Sequence, residues 1–251
     1  MGRLFSLGER RSERGLYPWD AMPKSARPRP SGRRERRPTP VRGALPRDVV
    51  EEIRRVARVG RGDEAIAHLE RAAERLERGD SGEAVSEAAK AKQLASRSAA
   101  VREVLGLGLY HAGRFREALS ELQAYRRMTG RADQNHVIAD CERALGRPER
   151  AVALAEEAVR ARISNDVRAE AVIVAASALA DMKRYDQTLA LLRRVRTRQD
   201  VAEPHVLRIW YVTTDLLARS GRREEAERTF RKIFRHDAAA FDVAERLAQL
   251  G

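Results

Sequence analysis

One cysteine, Cys141, stands in the 251 residues of this chain. A single thiol excludes an internal disulfide framework and leaves too few soft ligands for a structural zinc site, so a small helix-packing role is expected for it. Aromatics make up 5% of the residues, and any core must therefore be built mainly from Ala, Leu, Val and Ile. No apolar run approaches the roughly 18 residues that read as a membrane span, and no segment of signal-peptide character opens the sequence. Membrane insertion is not expected, and the cytoplasm is the default location. Motifs that carry chemistry are also missing. The five histidines, His68, His111, His136, His205 and His236, lie far apart, and none sits in an HExxH arrangement. There is no GxxxxGK[ST] phosphate loop and no GxSxG elbow. The expectation is a protein that is not an enzyme and has no cofactor or metal.

Charge is plentiful but uneven. The formal net charge is +13, and residues 1–47 hold 13 Lys and Arg against 4 Asp and Glu. Seven of the nine prolines fall in the same stretch, mostly among arginines, as in RPRPSGRRERRPTP from Arg27 to Pro40. Such a composition buries too little apolar surface to offset the entropy of ordering. Residues 1–47 are therefore expected to form a disordered Arg/Pro-rich tail. Its guanidinium groups at Arg27, Arg29, Arg33, Arg34, Arg36 and Arg37 are candidate contacts for the phosphates of RNA or of a ribosome. One apolar island, Leu16, Tyr17 and Trp19, reads as a linear motif that docks either on the rest of the chain or on a partner.

From residue 48 the apolar period becomes helical. Val49, Val50, Ile53, Val56 and Ala57 share one face, with Asp48 as a candidate cap, and Ile66, Leu69, Ala72, Ala73 and Leu76 follow behind Asp63. Twelve helices are predicted near 48–59, 63–78, 82–96, 98–112, 115–128, 132–145, 148–162, 166–182, 185–198, 203–219, 223–236 and 238–250. A turn motif recurs five times, at Gly79, Gly113, Gly146, Lys183 and Gly221, at intervals of 34, 33, 37 and 38 residues. Repeats of that length are helix hairpins that bury their apolar faces only against neighbouring copies. The last segment, with Phe241, Ala244, Leu247 and Leu250 on one side, suits a helix capping the exposed end of the array.

The spacing resembles the tetratricopeptide repeat, a 34-residue helix–turn–helix with small residues where its helices cross. The second copy carries the likeness best, with Leu105, Gly106, Leu109, Gly113, Ala118 and Leu122 in the family's positions. Ala72 and Ala84, Ala139 and Ala151, Ala176 and Thr188, and Thr214 and Ala226 are the small pairs of the other copies. Lys183 departs from the pattern, since glycine usually closes the first helix. The resemblance implies an all-α, right-handed helical-hairpin solenoid over residues 48–251. The leader and the segment from Asp140 to Val159 also resemble uncharacterised actinobacterial repeat proteins.

The same resemblance implies a concave groove lined by the first helix of each pair, through positions that share one helical face. On this chain those positions are Glu103, Leu107, Tyr110 and His111; Asp133, His136, Asp140 and Arg143; Glu170, Ile173, Ser177 and Asp181; and Arg208, Tyr211, Asp215 and Arg219. Family members that clamp an acidic peptide terminus use Lys and Asn there, and this sequence has neither. Two functions follow as expectations. One is a scaffold that binds a protein or peptide in the groove. The other is association with RNA or the ribosome through the basic tail.

Overall fold

A computed structural model describes residues 45–193 and 203–250. Residues 1–44 of the expected tail, with its arginine contacts and the Leu16, Tyr17 and Trp19 motif, lie outside the described residues, and Arg47, expected in the tail, begins the first helix. Among the described residues the chain is all helix and turn, with no strand. It divides into two compact units that meet in sequence at Leu145 and Gly146.

The first unit holds α1 (Arg47–Val56), α2 (Gly62–Arg78), α3 (Ser81–Leu94), α4 (Ala99–His111), α5 (Phe115–Thr129) and α6 (Asn135–Ala144). The second holds α7 (Pro148–Arg160), α8 (Asn165–Asp181), α9 (Tyr185–Arg193), α10 (Pro204–Arg219), α11 (Arg223–His236) and α12 (Val243–Leu250). Within each unit consecutive helices pack side by side: α2 on α3, α3 on α4, α4 on α5 and α5 on α6 in the first, and α7 on α8, α8 on α9, α10 on α11 and α11 on α12 in the second. Helix α8 also contacts α10. This is the tetratricopeptide-type hairpin stacking that the repeat period implies.

The turns show why the motif recurs. At Gly79, Gly113, Lys183 and Gly221 the backbone enters the left-handed region, with φ of 78°, 73°, 60° and 81°. At each of the four, the turn N–H donates to the carbonyl three residues back, and the next N–H donates to the carbonyl five back from itself. That pair of bonds satisfies carbonyls otherwise orphaned at a helix end, and it requires the left-handed residue. Lys183 adopts the conformation despite its Cβ.

Small residues at the expected crossing positions are buried. Ala72, Ala84, Ala118, Ala139, Ala151 and Ala226 are all fully buried. Among the glycines Gly106 leaves the least room, for a Cβ there would lie 2.6 Å from Leu122 Cγ. Thr188 and Thr214 fill small sites without leaving a hydroxyl unmet, because each donates to the carbonyl four residues earlier, Arg184 at 2.9 Å and Trp210 at 2.6 Å. Cys141 is buried in helix packing, and burial pushes its thiol pKa well up.

Several expectations are corrected in detail. Neither Asp48 nor Asp63 caps a helix: α1 and α2 begin behind Pro46 and Arg61 without a side-chain cap, and Asp63 accepts two hydrogen bonds from Arg54 instead. Helix α6 begins three residues later than predicted, because Ala132 already accepts the Asn135 N–H in a turn. The final helix begins at Val243 rather than at 238. Before it, Asp237 accepts the Ala239 N–H on its side chain and Phe241 takes a left-handed φ of 56°. That kink puts Val243 and Phe241 in the core and leaves Ala244 exposed. Phe234 on α11 is exposed.

Candidate functional site

In the first unit the expected groove residues build a polar cluster on α4 and α6. Tyr110 donates its hydroxyl to Asp140 at 2.9 Å, and Asp140 also accepts Arg143 Nε at 2.8 Å. The Asp140 and Arg143 side chains are buried, so this pair is screened from water. Glu103, also buried, accepts Gln134 Nε2 at 2.7 Å. Desolvation raises the Glu103 pKa to about 7, the Gln134 hydrogen bond opposes the shift, and the nearby Asp133 charge adds to it. Asp133 accepts the Tyr125 hydroxyl through both carboxylate oxygens at 3.1 Å and pairs with Arg131. His111 lies beside Tyr110, its ring centroid 5.4 Å away, and burial lowers its pKa to about 4. His136 is buried, and Leu107 is a core residue at 1% exposure.

In the second unit the corresponding face lies on α8, α10 and α12. Glu170 and Arg208 form an ion pair at 2.7 Å, and desolvation raises the Glu170 pKa against the pull of Arg208. Tyr211 is buried and donates to Asp242 at 2.6 Å. Arg246 lies 3.2 Å from Asp242 and 3.7 Å from Asp215, which Arg219 approaches at 3.7 Å. Arg219 is the most open of these side chains, at 56% exposure. Ile173 is fully buried in the hydrophobic cluster with Val172, Ile209 and Leu216. The Ser177 hydroxyl and Arg208 Nε are buried and have no hydrogen-bond partner among the described residues.

The structure thus gathers Glu103, Tyr110, His111, Asp140 and Arg143 in one unit and Arg208, Tyr211, Asp215 and Arg219 in the other. Leu107 and Ile173 it assigns to packing. Sequence reasoning missed Gln134, Asp242 and Arg246 as members of these clusters. Gln134 precedes its helix, and Asp242 and Arg246 lie beyond the last turn motif, so no repeat template covers them. Among the described residues no group of three or more His, Cys, Asp and Glu side chains could hold a metal, and no helix is long and apolar enough to cross a membrane.

Comparison with known proteins agrees with this architecture. Residues 136–235 match the Tetratrico peptide repeat family. Among solved structures, the chain is similar to YrrB, described as a TPR protein with an unusual peptide-binding site, at 20% identity and a TM-score of 0.50, over 74% of this chain and 92% of that one. The TPR domain of P58(IPK) aligns at 18% identity and a TM-score of 0.38, over 76% of this chain and 58% of that one. A chain of Naa15/Naa10 bound to HypK-THB aligns at 14% identity and a TM-score of 0.37, over 74% of this chain and 33% of that one. No curated protein matches the sequence significantly. The fold is that of tetratricopeptide-type helical repeats.

Proposed function

We propose that this protein is a non-enzymatic scaffold that binds a protein or peptide along the faces of α4 and α6 in one unit and of α8 and α10 in the other. The observation that carries the reading is the accessible polar side chain in each unit, Tyr110 on α4 and Arg219 on α10, the latter 56% exposed beside Asp215. Tyr110, Arg208 and Arg219 supply the residue types that anchor interfaces, an aromatic and guanidinium forks. The resemblance in fold to YrrB, a protein with a peptide-binding site, supports the same class of function. The test is affinity purification with full-length protein and a Tyr110→Ala/Arg219→Ala variant. Both residues have accessible surface, so the variant should fold. Recovery of the same partners in the same amounts would count against the faces.

A second reading rests on the sequence of the tail, with 13 basic against 4 acidic residues in positions 1–47. It proposes that Arg27, Arg29, Arg33, Arg34, Arg36 and Arg37 bind RNA or the ribosome. Neutralising about six phosphates predicts a loss of roughly a thousandfold in affinity between 50 and 200 mM salt. Binding that survives deletion of residues 1–47, or that ignores salt, would exclude it.

A further inference from the structure

We infer that the outer face of α11 is a second docking surface, one that takes an acidic protein segment carrying an apolar side chain. It lies on a different helix from the faces proposed above and does not depend on them. From Arg228 to His236 the helix carries four Lys and Arg and no Asp or Glu. Arg228, Arg231 and Arg235 follow one another at helical spacing, and with Phe234 they line an open depression of about 510 Å³. Phe234 is 41% exposed and is the one exposed aromatic among the described residues.

The other side of the same helix explains why these groups point outward. Phe230 and Ile233 are buried against Trp210, Tyr211 and Val243. Lys232 lies 3.7 Å over the Trp210 ring, and the ring of His236, itself exposed, is 5.3 Å from it. Arg231 reaches Glu227 at 2.5 Å, an exposed pair of little net value that a competing carboxylate can replace. Arg228 and Arg235 donate to backbone carbonyls of their own helix, at 3.4 and 3.3 Å, and the Arg228 charge also acts on Glu225. Guanidinium forks match carboxylates in a bidentate way, and an aromatic between them offers the apolar anchor that concentrates binding energy.

The chain's own leader, with 13 basic against 4 acidic residues in positions 1–47, matches this basic face poorly. Single-stranded nucleic acid is disfavoured because it requires several aromatic platforms for successive bases, and Phe234 stands alone. An acidic segment with one leucine-like side chain satisfies every group on the face.

The test is fluorescence anisotropy with full-length protein at near-physiological salt. The probe is a short labelled peptide of Asp and Glu with two central leucines. Controls are the same peptide with Asn and Gln, the same peptide with serines for leucines, and a short polyuridine RNA. Arg228→Gln/Arg231→Gln/Arg235→Gln should weaken the acidic peptide by about tenfold or more while leaving the RNA affinity unchanged. Phe234→Ala should weaken the leucine-bearing peptide and not its serine counterpart. Arg228→Gln/Arg235→Gln, which leaves the Arg231–Glu227 pair in place, must show the loss as well. Unchanged peptide affinity in these variants, or an equal or larger loss of RNA affinity, overturns the assignment. The Tyr110→Ala/Arg219→Ala variant should bind the peptide like the parent, which separates this surface from the groove.

Discussion

Glu52 on α1 caps α4 across space: its carboxylate accepts the Ser98 hydroxyl at 3.0 Å and the Ala99 N–H at 2.6 Å. Ser98 in turn accepts the Val101 N–H at 3.2 Å, as an N-cap side chain does. A first helix that buries few residues of its own is thereby tied to a later hairpin by charge placed at the positive end of α4. Removing the carboxylate leaves the fully buried Ser98 with one bond fewer. Glu52→Ala should lower stability by about 1–2 kcal/mol, and Glu52→Gln by less, because an amide oxygen still accepts. Urea denaturation of the full chain measures both.

Gly106→Ala sets two effects against each other. Alanine gains about 1 kcal/mol of helix propensity over glycine. Against that gain, the new Cβ would sit 2.6 and 2.7 Å from Leu122 Cγ and Cδ2. Overpacking costs about 1–3 kcal/mol, so net destabilisation is expected. Leu122→Ala in the same chain should reverse the sign of the Gly106 effect, a coupling that a double-mutant cycle detects.

Lys183→Gly should raise stability by about 1 kcal/mol, since an L-residue pays roughly 1–2 kcal/mol for the left-handed backbone that glycine adopts freely. The Lys183 φ of 60° motivates the prediction. Gly113→Ala, at a φ of 73°, should shift the denaturation midpoint the opposite way.

Two buried groups give stability opposing pH dependences. The Glu103 pKa of about 7 in the folded chain lies above its ordinary 4.5, so the fold binds a proton that the unfolded chain releases, and stability falls as pH rises from 4.5 to 7. The His111 pKa of about 4 lies below its ordinary 6.5, so stability falls as pH drops from 6.5 to 4. Between 4.5 and 6.5 the two slopes oppose each other. Glu103→Gln should therefore uncover a rise of stability with pH in that window, and His111→Phe should uncover a fall. Thermal melts at stepped pH decide the signs.

Ending the chain at His236 should expose Trp210, Tyr211 and Phe230, which now pack with Phe241 and Val243. It also removes Asp242, the acceptor of the Tyr211 hydroxyl. A lower melting temperature and binding of a hydrophobic dye are expected. A truncated chain that melts like the parent and stays dry would rule out a capping role for α12.

The helices were legible because their cause is local. Gly79, Gly113 and Gly221 announce left-handed turns wherever they fall, and Pro148 and Pro204 mark first turns that have no N–H to satisfy. The candidate site was legible only in part. Its positions follow from helical spacing, but spacing treats Leu107 and Arg219 alike, although one is 1% exposed and the other opens to solvent. Glu52 offered no signal of its role, since its partner lies 46 residues away. Phe234 and Phe230 stand four apart on one helix, yet one is exposed and the other buried.

What the sequence settled by itself is the class of structure: hairpins of amphipathic helices, closed by left-handed corners and small crossing residues, because those choices depend on neighbours within a few positions. What only the tertiary structure decided is which polar groups lie close together out of water. The proton affinity of Glu103, the Tyr110–Asp140–Arg143 chain and the outward arginine face of α11 all depend on desolvation and distance. Those quantities are set when helices far apart in sequence come into contact.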